Sequence, residues 1–238
     1  MNKVSDNYYS ALVLFSVALI LYVIALFIDS PDLELFSRPI IIPSIYYYYY
    51  IKVNGTIDFL FSISILSYSI GEILYLISEK DFFAIGLVFF VIPYFITIYF
   101  LYQDFLYYLK KRIYQTDSLS FFIVFLLLIY LIYSVLAFIT DATNFEYGMY
   151  IIYAILLFIM TVLAFLIQLN YFNKTILFMI LMVTSFLFSD IFYVFSERMK
   201  DVFSLKIINV ITQQLSYLLF ACYFAYRTNY KLWKKKKI

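Results

Sequence analysis

The sequence predicts an all-α, polytopic membrane protein: about eight transmembrane helices arranged as two parallel four-helix repeats. Three observations carry that prediction. Hydrophobic residues make up 66% of the chain, charged residues only 13%, and mean hydropathy is +0.94, a balance that soluble domains do not show. The apolar residues fall into continuous runs rather than alternating, which favours membrane-crossing helices over a β-barrel. Finally, one polar-bearing stretch occurs twice. Ser67-Tyr-Ser-Ile-Gly71-Glu72-Ile-Leu-Tyr75-Leu-Ile-Ser78-Glu79-Lys80 matches Ser185-Phe-Leu-Phe-Ser189-Asp190-Ile-Phe-Tyr193-Val-Phe-Ser196-Glu197-Arg198 in register, at the spacing from Glu72 to Asp190, 118 residues.

The spans follow in order from length and hydropathy. The first covers about 9–28, longer than the apolar core of a signal peptide and with no small-residue cleavage site after it. Asp29, Pro31, Asp32 and Glu34 close it. The second opens at Arg38-Pro39, with Pro suited to a first helical turn, and runs through the low-complexity Tyr46–Tyr50 to about 51, with Pro43 inside. The third covers about 57–77 and holds Glu72, and the fourth about 82–102, where Pro93 predicts a kink. The remaining four cover about 119–139, 148–169, 175–195 (with Asp190) and 206–226. The whole chain, 1–238, reads as a single integral membrane domain, with halves of roughly 1–115 and 116–230 and a basic tail, 227–238.

The charges orient this arrangement. With eight spans, twelve of the 17 lysines and arginines share the side of the termini: Lys3, Lys52, Lys110, Lys111, Arg112, Lys174 and the six from Arg227 onward. Arg38, Lys80, Arg198, Lys200 and Lys206 fall on the other side. The asymmetry predicts cytoplasmic termini, and the Lys234–Lys237 run reads as a positive-inside anchor. No nucleic-acid partner is expected. The chain has no His, which removes the usual metal ligand and acid/base residue. No metal or other cofactor is expected. The lone Cys222 excludes an intrachain disulfide.

The repeat singles out the candidate site. Four spans separate the copies, so both halves share one topology and Glu72 and Asp190 fall at one depth, in the outer half of the membrane. Ionisable groups at that depth are functional candidates. Two carboxyls facing one low-dielectric cavity cannot both ionise easily, so one tends to keep its proton while the other orients or deprotonates water. Glu72 and Asp190 are therefore the candidate catalytic pair. Tyr75 and Tyr193, three residues on, share their helical face and are candidate hydrogen-bonding groups. Ser189 lies next to Asp190, and Arg38 is placed where a phosphate headgroup could meet it. Packing is the commoner role for residues such as Gly71, Ser189 and the two tyrosines.

These residues resemble the YhhN family of lysoplasmalogenase-like membrane proteins. The family's layout is similar across nearly the whole chain: eight spans, a Gly-Asp motif in the third, a Ser-Asp motif in the seventh, and a basic-Pro pair opening the second. Gly71-Glu72, Ser189-Asp190 and Arg38-Pro39 with Pro43 are the matches. The chain departs from the pattern at Glu72, which replaces Asp, and at Pro93-Tyr94, where the family often carries a His. The resemblance implies hydrolysis of the vinyl ether bond of lysoplasmalogens, a lysophospholipid substrate, Glu72 and Asp190 as acid and base, and a bacterial inner membrane. A transporter or lipid-binding protein using the same carboxyls, or an inactive relative, are the alternatives.

Overall fold

The computed structural model of the chain describes residues 7–109, 118–139, 143–171, 173–199 and 202–235. They form helices α1 (Asn7–Phe27), α2 (Pro31–Lys52), α3 (Phe59–Ser78), α4 (Asp81–Tyr108), α5 (Ser118–Phe138), α6 (Asn144–Asn170), α7 (Lys174–Arg198) and α8 (Phe203–Lys235). All but α2 are long and apolar enough to cross a membrane. This is an all-α membrane protein, as its composition requires. Lys3, Lys110, Lys111, Arg112, Lys200, Lys236 and Lys237, which contribute to the orientation argument, lie outside the described residues.

Local chemistry sets the helix starts. Ser30 caps α2: its Oγ accepts from Leu33 N at 3.5 Å, with Pro31 in the first turn beside Asp32 and Glu34. The second helix therefore begins at Pro31 and not at Pro39, and Pro39 and Pro43 both lie within it. Beginning the helix early has a consequence for the site, because it puts Glu34 one turn before Arg38. Thr143 and Glu146 form a reciprocal capping box on α6. Asn173 Oδ1 accepts from Ile176 N at 2.9 Å on α7. Asp29 and Asn54, at the two turns flanking α2, adopt positive φ, as short polar side chains tolerate.

Between α3 and α4 the chain reverses at one residue. Ser78 is extended (φ −163°, ψ 107°), and its hydroxyl donates to Asp81 Oδ2 at 2.8 Å and accepts from Asp81 N. Tyr75 and Gly86 would stand about 16 Å apart on one straight helix. Instead the Tyr75 ring lies directly on Gly86, its hydroxyl donates to Phe83 O at 3.3 Å, and the Phe90 ring covers Gly71. The two glycines give α3 and α4 their close approach.

The core is aromatic and centres on Phe61 of α3, whose ring meets Tyr49 of α2 at 3.8 Å and Phe224 and Phe220 of α8 at 5.2 and 5.5 Å. Even the Tyr46–Tyr50 run divides by helical face. Tyr48 and Tyr49 are buried, Tyr47 and Tyr50 are exposed, and Tyr49 Oη accepts from Asp58 N. α8 packs on α7, α2 and α1; α6 packs on α4; α5 rests on α6 at the periphery, with Leu128 its one buried residue among those described.

α8 continues beyond the expected span end near 226, through Lys235. Arg227, grouped with the basic tail in the sequence reading, lies within this helix and is 4% exposed. Its Nη2 is 2.8 Å from Asp104 Oδ1, its Nε donates to both Asp104 oxygens, and Tyr223 donates to Asp104 Oδ2 at 2.7 Å. This clasp ties α4 to α8. Asp104→Asn leaves the Arg227 charge buried without its partner and is expected to cost on the order of 3 kcal/mol, read as a lower melting temperature in detergent.

Candidate functional site: two carboxyls around one cavity

Two polar clusters form at the end of the bundle where α3 and α7 finish. The first is built on Arg38 of α2. Its Nε donates to Glu72 Oε2 at 2.7 Å and its Nη1 to Glu34 Oε1 at 3.2 Å. The other Glu72 oxygen, Oε1, accepts from Tyr217 Oη at 2.8 Å and from Gln213 Nε2 at 2.9 Å. Gln213 also donates to Tyr217 Oη at 3.0 Å. Glu72 is 5% exposed. The carboxylate is thus satisfied by three side chains from two other helices, as a charge held away from water must be.

The second cluster is built on Asp190 of α7. Tyr94 of α4 donates to its Oδ2 at 2.8 Å. The Tyr94 ring is fixed by Tyr153 at 5.4 Å and Phe186 at 5.3 Å. Tyr153 donates to Leu87 O at 2.9 Å. Asp190 acts electrostatically on Tyr68, Tyr94 and Tyr153. Tyr68 in turn packs against Tyr217, ring centroids 4.5 Å apart, and so stands between the two clusters.

A cavity of about 720 Å³ opens beside them, within the usual range for ligand sites. Arg38, Tyr68, Tyr94, Tyr153, Asp190, Gln213 and Tyr217 line its polar part. Leu131, Ile132, Val135 and Leu136 of α5, with Ala154 and Leu157 of α6, line an apolar flank. Asp32, Glu34, Glu197 and Lys206 also belong to the wall, and Asp32 and Lys206 are solvent-exposed.

The expected site residues separate. Asp190, Arg38, Ser189, Tyr75 and Tyr193 are all on the cavity wall, and Ser189 is buried there. Glu72 is not on that wall. It sits behind Arg38 and Tyr217, so the two carboxyls do not share one face. Tyr75 bridges the α3–α4 turn through its bond to Phe83. Arg38 has its charge matched by two carboxylates.

Glu34, Tyr68, Tyr94, Gln213 and Tyr217 were not among the expected site residues. Gln213 had a signal, as one of three amides, with Asn209 and Gln214, inside a membrane-length span. Glu34 had one too, four residues before Arg38, readable only once the helix begins at Pro31. The tyrosines had none, being three of 27 in a chain where aromatics are everywhere, and all three are buried. Among the described residues no group of three His, Cys, Asp or Glu could hold a metal ion.

No known family model, curated protein or solved structure matches this chain. Fold and site together define an α-helical membrane protein with a carboxyl-lined cavity that has both a polar and an apolar wall.

The two carboxyls are expected to respond differently to neutralisation. Glu72→Gln removes the shorter of the two Arg38 ion pairs and leaves Glu34 as its partner, and should lower stability by about 2 kcal/mol. Asp190→Asn keeps an acceptor for Tyr94 and should cost less than about 1 kcal/mol. Thermal unfolding of both variants in detergent checks the contrast.

Proposed function

We propose that this chain is a lysoplasmalogenase-like hydrolase that cleaves the vinyl ether bond of a one-chain phospholipid inside the membrane. The observation that carries the reading is the cavity itself: one wall holds the Asp190 carboxyl, and the flank formed by α5 and α6 is apolar enough to take a single hydrocarbon chain. The likeness of Gly71-Glu72 and Ser189-Asp190 to the YhhN motifs supports it. In the same reading α2 crosses with the other seven helices, both termini are cytoplasmic, and the cavity opens on the outer face of a bacterial inner membrane.

The chemistry follows from the substrate. Asp190 gives a proton to the β-carbon of the vinyl ether, leaving an oxocarbenium ion next to the new carboxylate. Tyr94 holds Oδ2 in place, so the carboxyl keeps one orientation through the step. Water adds to the cationic carbon and returns its proton to Asp190. The hemiacetal then collapses to a fatty aldehyde and a free glycerol hydroxyl. One water is consumed and the carboxyl is restored. Glu72 acts here as a positioning residue. It fixes Arg38 and Tyr217 on the wall and has no oxygen facing the substrate.

A second reading, a non-enzymatic lipid carrier or transporter, is favoured by the matched charges of Glu34, Arg38 and Glu72, which bind without any need to exchange protons. The test is mass spectrometry of lysoplasmenyl-ethanolamine incubated with purified protein in detergent. Aldehyde release by the wild type, lowered about 10²–10⁴-fold in Asp190→Asn, is the expected result. No release from this lipid or its choline form, together with gradient-dependent flux in liposomes, would replace the hydrolase by the transporter.

A further inference from the structure

One face of α8 runs along the cavity wall as a polar ladder. Lys206, Asn209, Gln213 and Tyr217 follow at spacings of three and four, so they stack on one side of the helix. The two inner rungs are occupied, since Gln213 and Tyr217 both donate to Glu72. The two outer rungs are not. Lys206 is exposed on the wall and has no carboxylate partner among the described residues. Asn209 is 8% exposed, and its Oδ1 is buried without a hydrogen-bond partner. A buried amide oxygen left unpaired destabilises the folded state, so it points to a group that arrives with a ligand. A half-turn about the last side-chain bond exchanges the amide's oxygen and nitrogen, so either end can be offered to the cavity. Gln214 also has an unpaired oxygen, but it is not on the wall and carries no such implication.

These two observations are independent, one a free cation and the other an orphaned acceptor, and they lie one helical turn apart. We propose that Lys206 and Asn209 form the headgroup subsite of the cavity, with Lys206 binding the phosphate of a one-chain phospholipid and Asn209 its glycerol hydroxyl. The inference rests on the hydrolase reading for the identity of the lipid. Three residues of helix rise about 4.5 Å, the scale of the step from a phosphate to the neighbouring glycerol carbons. Asp190 and the apolar flank of α5 and α6 line the same cavity. Arg38 is the other cation on the wall, but Glu34 and Glu72 already match its charge. Lys206 is the cation left to read the phosphate.

Uncleavable lipids test the subsite apart from turnover. The probes are 1-O-alkyl-lysophosphatidylethanolamine and 1-O-alkylglycerol, which share chain and hydroxyls and differ in the phosphate. The readout is the rise in melting temperature of purified protein in detergent. Wild type should be stabilised more by the phospholipid than by the alkylglycerol. Lys206→Glu should lose that difference and keep the alkylglycerol response. Asn209→Leu should respond less to both probes, while its lipid-free melting temperature stays at or above that of wild type, because no hydrogen bond to Oδ1 is lost. A wild-type response in either variant overturns the subsite and leaves the lipid cavity standing, as does a lipid-free Asn209→Leu that melts well below wild type. If neither probe shifts wild type, the lipid reading fails and the subsite fails with it.

Discussion

Arg38 and Glu72 meet across α2 and α3 at 2.7 Å, and much of the cavity end is arranged around that contact. Charges removed from water must be paired and their remaining hydrogen-bonding capacity filled. Arg38 therefore recruits Glu34 from its own helix, and Glu72 recruits Gln213 and Tyr217 from α8. Three helices are brought to one point by two side chains. Satisfying the pair leaves Arg38 and Tyr217 on the cavity wall with fixed geometry while Glu72 disappears behind them. The ion pair thus shapes the cavity from outside it.

The same logic is used at the opposite end. Asp104 and Arg227 close α4 onto α8, with Tyr223 filling a further acceptor position. α8 is held at two levels by carboxylates from other helices, Glu72 at Gln213 and Tyr217 and Asp104 at Tyr223 and Arg227. α5 is the contrast. It rests on α6 and contributes Leu131, Ile132, Val135 and Leu136 to the cavity flank. The cavity therefore has one wall pinned by ion pairs and one formed by apolar side chains.

Eight helices, their order and most of their limits were legible in the sequence, because hydropathy over about 20 residues is a local property. The Gly71-Glu72 and Ser189-Asp190 stretches marked two helices, α3 and α7, whose carboxyls bond side chains on other helices. The start of α2 was misplaced because Arg38-Pro39 imitates a helix opening, whereas Ser30-Pro31 supplies both a cap and a first-turn proline. That single shift hid the Glu34–Arg38 pair. The tyrosines were invisible for a different reason. Composition says how many a chain has, and only packing says which ones find a carboxylate.

By itself the sequence determined that this chain is a helical membrane protein with one matching carboxyl-bearing stretch in each half. Tertiary structure decided what each carboxyl does. Glu72 takes its partners from 34, 141 and 145 residues away and becomes part of an ion-paired wall. Asp190 takes Tyr94 from 96 residues away and keeps a place on the cavity. Two similar stretches of chain, identical at five of 14 positions, acquire different roles because a carboxyl's chemistry is set by the charges and donors around it. Those neighbours come from distant parts of the chain, where no local pattern records them.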